Sequence, residues 1–207
     1  MEKSTTDSAT FAELLAFVDA RLEKIHAPNP DLVKKHNADP LNKDWQILEG
    51  APWEQSDVVH DILVFLAERM IQLNKEKQEK INAFLEWLAA ELEVRPDKNG
   101  NTGIDALTGK TKLKSYFGNY QKGEEALSFD ELWVILRKNK NRIERSLSPS
   151  FMQEVKQVYE ESLASLLPIK EKLRLTDDLI DRIVYRLYGL TPNEIRIVEE
   201  HRGVSAR

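Results

Sequence analysis

The sequence predicts an all-α protein, a helical bundle with one long helix and several shorter ones. Apolar residues recur at three- and four-residue spacings in almost every segment, which is typical of amphipathic helices. Residues 57–93 contain neither glycine nor proline. No segment shows the strict polar–apolar alternation of a half-buried strand. With 207 residues, the chain has room for one large or two small domains.

The first predicted helix begins at Thr10, because Glu13 follows at the spacing of a capping box, and it ends before Pro28. Residues 29–51 are interrupted by proline and glycine and are expected to form a loop.

A long helix is then predicted from Ser56 to about Glu93. Its apolar residues follow a heptad pattern, with steps of four, three, four and three. We refer to these residues as the seam: Val59, Leu63, Leu66, Met70 and Leu73. A helix of this length would be about 55 Å long, so we expect it either to break near residues 74–80 or to project and pack along its length.

The rest of the chain is predicted to form shorter helices. Ser128 with Glu131, and Ser148 with Pro149, are helix-start signals, while Pro168 is expected to end or kink a helix. Thr176 is expected to cap the next helix, and Thr191 the last. These boundaries divide the chain into an N-terminal helix and loop (1–55), the long helix (56–94), a turn-rich basic middle (95–127) and a C-terminal helical bundle (128–207), which could also form a single domain.

Positive charge is concentrated in the middle of a chain whose net charge is −5. Residues 95–149 carry 11 Lys/Arg and 7 Asp/Glu, a net of +4, whereas the rest carries 19 and 28, a net of −9. Lysine and arginine hold phosphates, and tyrosine can pack on a sugar or base. The candidate DNA-binding residues are Lys110, Lys112, Lys114, Tyr116, Arg137, Lys138, Lys140 and Arg142. The alternative is a solvated lysine surface over an aromatic core.

Other site types have weaker support. His60-Asp61 is similar to part of a metal phosphohydrolase site, but acidic residues near a helix start also favour the helix dipole. Gly103 to Thr111 differs from a phosphate-binding loop by one extra residue and does not follow a strand. The absence of cysteine excludes disulfides, thiolate metal sites and a cysteine nucleophile. We therefore predict no catalytic residues and no metal site.

One stretch is more specific. Residues 181–199, DRIVYRLYGLTPNEIRIVE, resemble the C-terminal end of adenine-specific DNA methyltransferases of restriction–modification systems, including single-chain restriction–modification enzymes. Two further stretches fit the same region: VVHD at 58–61 with LNKEK at 73–77 and FLEW at 84–87, and LTGKTKLK at 107–114 with Tyr116. The resemblance covers about residues 56–199.

The resemblance implies the helical region of these enzymes that is associated with target recognition. The family's catalytic Asn-Pro-Pro-Tyr motif and its glycine-rich cofactor loop are absent. We therefore expect no cofactor in this chain, because S-adenosylmethionine would bind a catalytic domain that is not present here. The expected partners are DNA and a methyltransferase or nuclease domain or subunit.

The leading hypothesis is a non-catalytic module that supports DNA target recognition and contacts the backbone. The competing hypothesis is a coiled-coil-type protein-interaction scaffold that does not bind DNA and forms a homo-oligomer through the seam. The first ten residues are polar and no apolar run approaches the 18–20 residues of a membrane span, so we expect a cytoplasmic protein without a membrane partner.

Overall fold

The computed structural model describes residues 8–26 and 52–201. The all-α class is confirmed. In the described ranges, strand pairing is limited to one isolated bridge between Val94 and Ile143. The described helices are α1 (Ser8–His26), α2 (Pro52–Leu92), α3 (Lys110–Lys114), α4 (Phe129–Lys138), α5 (Pro149–Leu187) and α6 (Pro192–His201). Two short 3₁₀ turns, Gly103–Ala106 and Tyr120–Lys122, lie between α2 and α4.

Three of the predicted helix starts are confirmed by their hydrogen bonds. Ser128 and Glu131 form a full capping box at the start of α4. The Ser148 hydroxyl accepts from the amide of Phe151 at 3.2 Å, at the start of α5. At α6, the Thr191 amide donates to the Glu194 carboxylate at 2.8 Å. These bonds satisfy amide groups that the first turn of a helix leaves without partners.

Two predicted starts are wrong by a few residues. Helix α1 begins at Ser8, which places Thr10 inside the helix rather than at its cap. Helix α2 begins at Pro52 instead of Ser56. Proline is well suited to a first helical position, because an N–H at that position would have no partner within the helix and its absence costs no hydrogen bond. α2 then runs for 41 residues without a break, which is the second of the two alternatives expected for a helix of this length. The loop predicted at 29–51 lies outside the described residues.

Helix α5 was predicted as two helices but is one. It continues through Pro168 and through Thr176, which is buried within the helix rather than capping it. The physical reason is an apolar stripe that continues across both positions at helical spacing. Its buried members are Leu166, Ile169, Leu173, Thr176, Leu179 and Ile183. Continuing the helix keeps this stripe on one face, which favours an unbroken element.

The chain forms two compact units. Unit 1 comprises the described residues of 1–71 and 175–207, and unit 2 comprises Gln72–Arg174. The boundaries pass through α2 and α5, so each long helix contributes to both units. The segments predicted from sequence, 1–55, 56–94, 95–127 and 128–207, follow helix ends and turns rather than the cores.

The core of unit 1 is formed by one face from each of three helices. Its buried members are Leu15, Val18 and Leu22 of α1, Val59 and Leu66 of α2, and Leu179 and Ile183 of α5. Leu63, another seam residue, is partly buried against this core. The first half of the seam therefore packs against the chain's own helices.

The core of unit 2 is rich in aromatic side chains. Phe84 of α2 lies 4.9 Å from Tyr116 and 5.7 Å from Tyr159 of α5, measured between ring centroids. The tilted geometry of these pairs is the one that aromatic quadrupoles favour. The Tyr159 hydroxyl donates to the Leu127 carbonyl, so this core also holds the segment that leads into α4.

Candidate nucleic-acid interface

Asn139, immediately after α4, holds the two basic segments of unit 2 together. Its side chain is 4% exposed, and its amide oxygen accepts from the Thr108 amide at 2.8 Å. Its amide nitrogen donates to the Thr108 carbonyl at 2.9 Å and to the Ile135 carbonyl at 2.8 Å. Because a buried amide needs all of these partners, Asn139 fixes the turn before Lys110 against the end of α4.

Helix α3 approaches α4 at two points. Gly109, just before α3, has a φ of 88°, and a Cβ there would lie 3.2 Å from Ile135 of α4. Further along α3, Lys112 acts electrostatically on Glu131, at the other end of α4. The hydrogen bonds from Ser128, and to a smaller degree Lys112, lower the pKa of the Glu131 carboxyl.

We refer to the predicted cations on the segments joined by these contacts as the basic face. Its members are Lys110, Lys112, Lys114, Arg137, Lys138, Lys140 and Arg142. All are exposed except Lys110 and Arg142, which are half-buried. Sequence reasoning left open whether the two clusters are adjacent. The Asn139 bonds place the turn before Lys110 against the end of α4, so the backbones that carry the two clusters meet there.

Asp105 lies between two lysines of the basic face. Its carboxylate is 2.7 Å from the Lys114 Nζ and 3.9 Å from the Lys110 Nζ. The Lys110 Nζ also donates to the Asp105 carbonyl at 3.2 Å. The Lys114 hydrogen bond, together with the charges of Lys114 and Lys110, lowers the pKa of the Asp105 carboxyl. No acidic residue lies between Lys110 and Lys122 in the sequence, but the fold places one against them.

Arg142, at the far edge of the basic face, lies next to a second loop. Its carbonyl accepts from the Arg95 amide at 2.9 Å, and its charge acts weakly on Asp97. The Asp97 carboxyl has a lowered pKa mainly because the side chain and amide of Asn101 donate to it. Asp97 therefore closes its own loop rather than forming an ion pair with Arg142.

The role predicted for Tyr116 is wrong. Its ring is fully buried in the core of unit 2, and its hydroxyl is 2.6 Å from the Ser162 hydroxyl. Burial raises the pKa of this hydroxyl. An enclosed ring cannot stack on a base, so Tyr116 belongs to the alternative interpretation, the aromatic core beneath the lysines.

The seam is also not available as predicted. Val59, Leu66 and Leu73 are at most 6% exposed, and Leu63 and Met70 are half-buried. Among the residues of α2 whose exposure the structure describes, the large apolar side chains that are exposed are Val64 (42%), Phe65 (65%) and Ile71 (71%). A partner of this helix would meet these three side chains rather than the seam.

The structure gives no support to the metal-site alternative. The His60 Nδ1 lies 3.5 Å from the Asp61 carboxylate, and both side chains are more than 70% exposed. Across residues 8–26 and 52–201, no three or more His, Asp or Glu side chains form a group that could hold a metal ion. The phosphate-binding-loop alternative concerned Gly103 to Thr111. The turn at Gly109 within this stretch packs on Ile135, which is an ordinary structural role for this glycine.

Comparison with known families places this region in context. The model of DUF8810, a domain of unknown function, matches residues 57–184, which is more than half of the chain. The chain belongs to the DUF8810 family. The DUF8810 match includes the whole basic face, all of unit 2 and most of α5. No curated protein and no solved structure matches the chain. In the described part of the chain, no helix is both long and apolar enough to cross a membrane.

Proposed function

We propose that unit 2 binds the phosphate backbone of DNA through the basic face, as a non-catalytic helical module of a restriction–modification DNA methyltransferase. The observation that carries this proposal is the Asn139 bridge between Thr108 and the end of α4. It joins the backbones of two segments that carry basic clusters and are distant in sequence, which supports a shared phosphate-binding surface. Contacts from lysine and arginine to phosphates position a protein on DNA without reading its sequence.

The charge of this region suits such a role. Residues 95–149, which contain every cation of the basic face, carry 11 Lys/Arg and 7 Asp/Glu, a local excess of four in a protein whose total charge is −5. Such a local excess attracts polyanions despite the overall sign.

The resemblance to methyltransferase tails supplies the second support. It covers about residues 56–199, which include all of unit 2, and the sequence lacks both the transfer motif and the cofactor loop. The module would therefore act beside a catalytic domain or subunit that binds S-adenosylmethionine. Its contribution would be affinity and orientation on DNA.

The proposal predicts a local, salt-dependent effect on DNA binding. Replacing Lys112, Lys138 and Lys140 together by Gln removes three exposed cations of the basic face. Each phosphate contact contributes about 0.9 to the slope of log affinity against log salt concentration on duplex DNA. We expect the slope to flatten by up to about 2.7 in a salt titration of binding to mixed-sequence duplex DNA. The loss should be similar for different sequences.

The matched control replaces Lys75, Lys80 and Lys156, which lie in unit 2 but outside the basic face. Lys75 and Lys156 form surface ion pairs with Glu79 and Glu160. This variant has the same net charge as the first. If it weakens binding as much, net charge alone explains the effect and the basic face is not the site.

The competing function is a protein-interaction scaffold, and the exposed Phe65 and Ile71 of α2 favour it. Under this hypothesis the chain would self-associate without DNA, and Phe65→Asp would abolish association without unfolding the protein. Sedimentation velocity of both proteins would show this. The scaffold takes precedence if the wild-type chain does not bind DNA even at low salt.

A further inference from the structure

Asp105 occupies the position in the basic face at which two lysines converge. The Lys114 Nζ contacts both carboxylate oxygens, at 2.7 and 2.9 Å, and the Lys110 Nζ is 3.9 Å from one of them. The two lysines are four positions apart in the helix, so they project from the same side of α3. The carboxylate therefore holds two ammonium groups together in the way that an anionic ligand would.

The backbone around Asp105 is fixed by its neighbours. Asp105 lies in the 3₁₀ turn Gly103–Ala106, and the residues on either side, Ile104 and Ala106, are 6% and 5% exposed. The Leu107 amide closes the turn by donating to the Ile104 carbonyl at 3.1 Å. Because the aspartate is short and its turn is anchored in the core, the long lysine side chains are the parts that can move.

We infer that Asp105 is an internal competitor of DNA phosphate, an autoinhibitory contact that lowers the affinity of the basic face until phosphate displaces it from Lys110 and Lys114. This inference rests on the proposed function. Carboxylate and phosphate oxygens accept hydrogen bonds from the same ammonium groups. Both lysines and Asp105 are 45–49% exposed, and ion pairs at such exposure exchange at little cost.

Asp105 also weakens the binding of phosphate after it has been displaced from the two lysines. Its carboxylate stays charged at neutral pH, because the lysine contacts lower its pKa. A phosphate bound to the two lysines would lie close to this carboxylate and be repelled by it. Removing the charge of Asp105 should therefore strengthen binding, whereas removing a structural ion pair should not.

The test is the substitution Asp105→Asn, which keeps the shape of the side chain and removes its charge. We expect the dissociation constant for mixed-sequence duplex DNA to fall by about two- to five-fold at moderate salt, the range set by a surface ion pair. The slope of log affinity against log salt should change little, because both lysines contact phosphate in the wild-type and the variant complex.

The matched control is Glu160→Gln. Glu160 also pairs with a lysine, Lys156 at 3.8 Å, and is 61% exposed, but it lies on α5 outside the basic face. Both substitutions raise the net charge by one. We expect Glu160→Gln to leave the dissociation constant within experimental error, and an equal gain in both variants would overturn the inference.

A combined variant tests whether the gain passes through the two lysines. In the background Lys110→Gln/Lys114→Gln, the substitution Asp105→Asn should have no further effect, which is the non-additivity of residues that act together. A gain that persists without the lysines would overturn the inference while leaving the proposed function standing. Failure of the wild-type chain to bind DNA at low salt would instead refute the proposed function itself.

Discussion

At the scale of single residues, unit 2 uses buried polar side chains to hold segments that are distant in sequence. Asn139 spans 31 residues to reach Thr108, and Tyr159 spans 32 to reach the Leu127 carbonyl. Tyr159 is 2% exposed, and burial, followed by the nearby Tyr116 and Glu131, raises the pKa of its hydroxyl to about 12.

Tyr159 predicts a loss of stability at alkaline pH. An unfolded tyrosine releases its proton near pH 10, whereas the folded one holds it to about pH 12. Since the unfolded state binds fewer protons in this window, the free energy of unfolding falls as the pH rises from 10 to 12. Tyr159→Phe should remove part of this fall, and should cost about 1–3 kcal/mol at pH 7 because the Leu127 carbonyl loses its donor.

Urea unfolding of both proteins between pH 7 and pH 11.5 measures these effects. Tyr188→Phe is the control, because that side chain is 74% exposed. Wild type and Tyr159→Phe losing stability in parallel above pH 10 would contradict the prediction.

The residue scale also shows where sequence reasoning stops. The clustering of Lys110, Lys112 and Lys114 was evident from the sequence, but Asp105 and Glu131, which lie against them, precede or follow the cluster and join it only in the fold. Tyr116 follows a helix of five residues, too short for its apolar periodicity to show which side chains point inward. Asn139 had no signal beyond being a polar residue within a basic run.

At the scale of elements, the helix starts that the sequence predicted correctly are those with a side-chain cap. Ser128, Ser148 and Thr191 act through bonds within their own first turn, so local sequence was sufficient. Pro168 and Thr176 are local stop and start signals that the tertiary structure overrides. The apolar stripe of α5 packs on both sides of them, and this burial outweighs the hydrogen bond that proline removes.

The destabilisation of the protein by Pro168 can be measured. The residue is exposed inside α5, so Pro168→Ala removes a helix breaker without changing the core. We expect the free energy of unfolding to rise by about 2 kcal/mol. Proline costs roughly 3 kcal/mol in a helix interior, but it also lowers the conformational entropy of the unfolded chain, which offsets part of this cost.

Chemical denaturation gives this value, with Leu167→Ala as the control. Leu167 is the preceding residue and is 54% exposed, so its truncation should change stability little. A destabilised Pro168→Ala protein would indicate that α5 needs the bend that proline imposes.

At the scale of the whole molecule, the two cores are made of different residues. Leu66 belongs to the core of unit 1 and is 6% exposed, whereas α4 belongs wholly to unit 2. Leu66→Asp should forfeit the roughly 1.5–3 kcal/mol of a buried leucine and add the cost of a buried charge. We expect α1 to lose protection from hydrogen exchange while α4 keeps it.

Hydrogen exchange followed by mass spectrometry resolves the two helices. Phe65→Asp, the same substitution at the neighbouring position, is the control, because Phe65 is 65% exposed and its replacement should cost less than about 0.5 kcal/mol. Equal loss of protection in α1 and α4 would show that the two units unfold as one.

The division into units also affects the order in which the two cores can form during synthesis. Unit 2 is one uninterrupted stretch, so a ribosome delivers all of its core before Leu175, whereas the core of unit 1 needs both Leu66 and Leu179. At synthesis rates of about 5–20 residues per second, the interval between these two leucines is roughly 6–23 s. Throughout that interval, Val59 and Leu66 can pack against α1, but their partners in α5 have not yet been synthesised. The nascent chain can therefore complete the core of unit 2 first, and the core of unit 1 only afterwards.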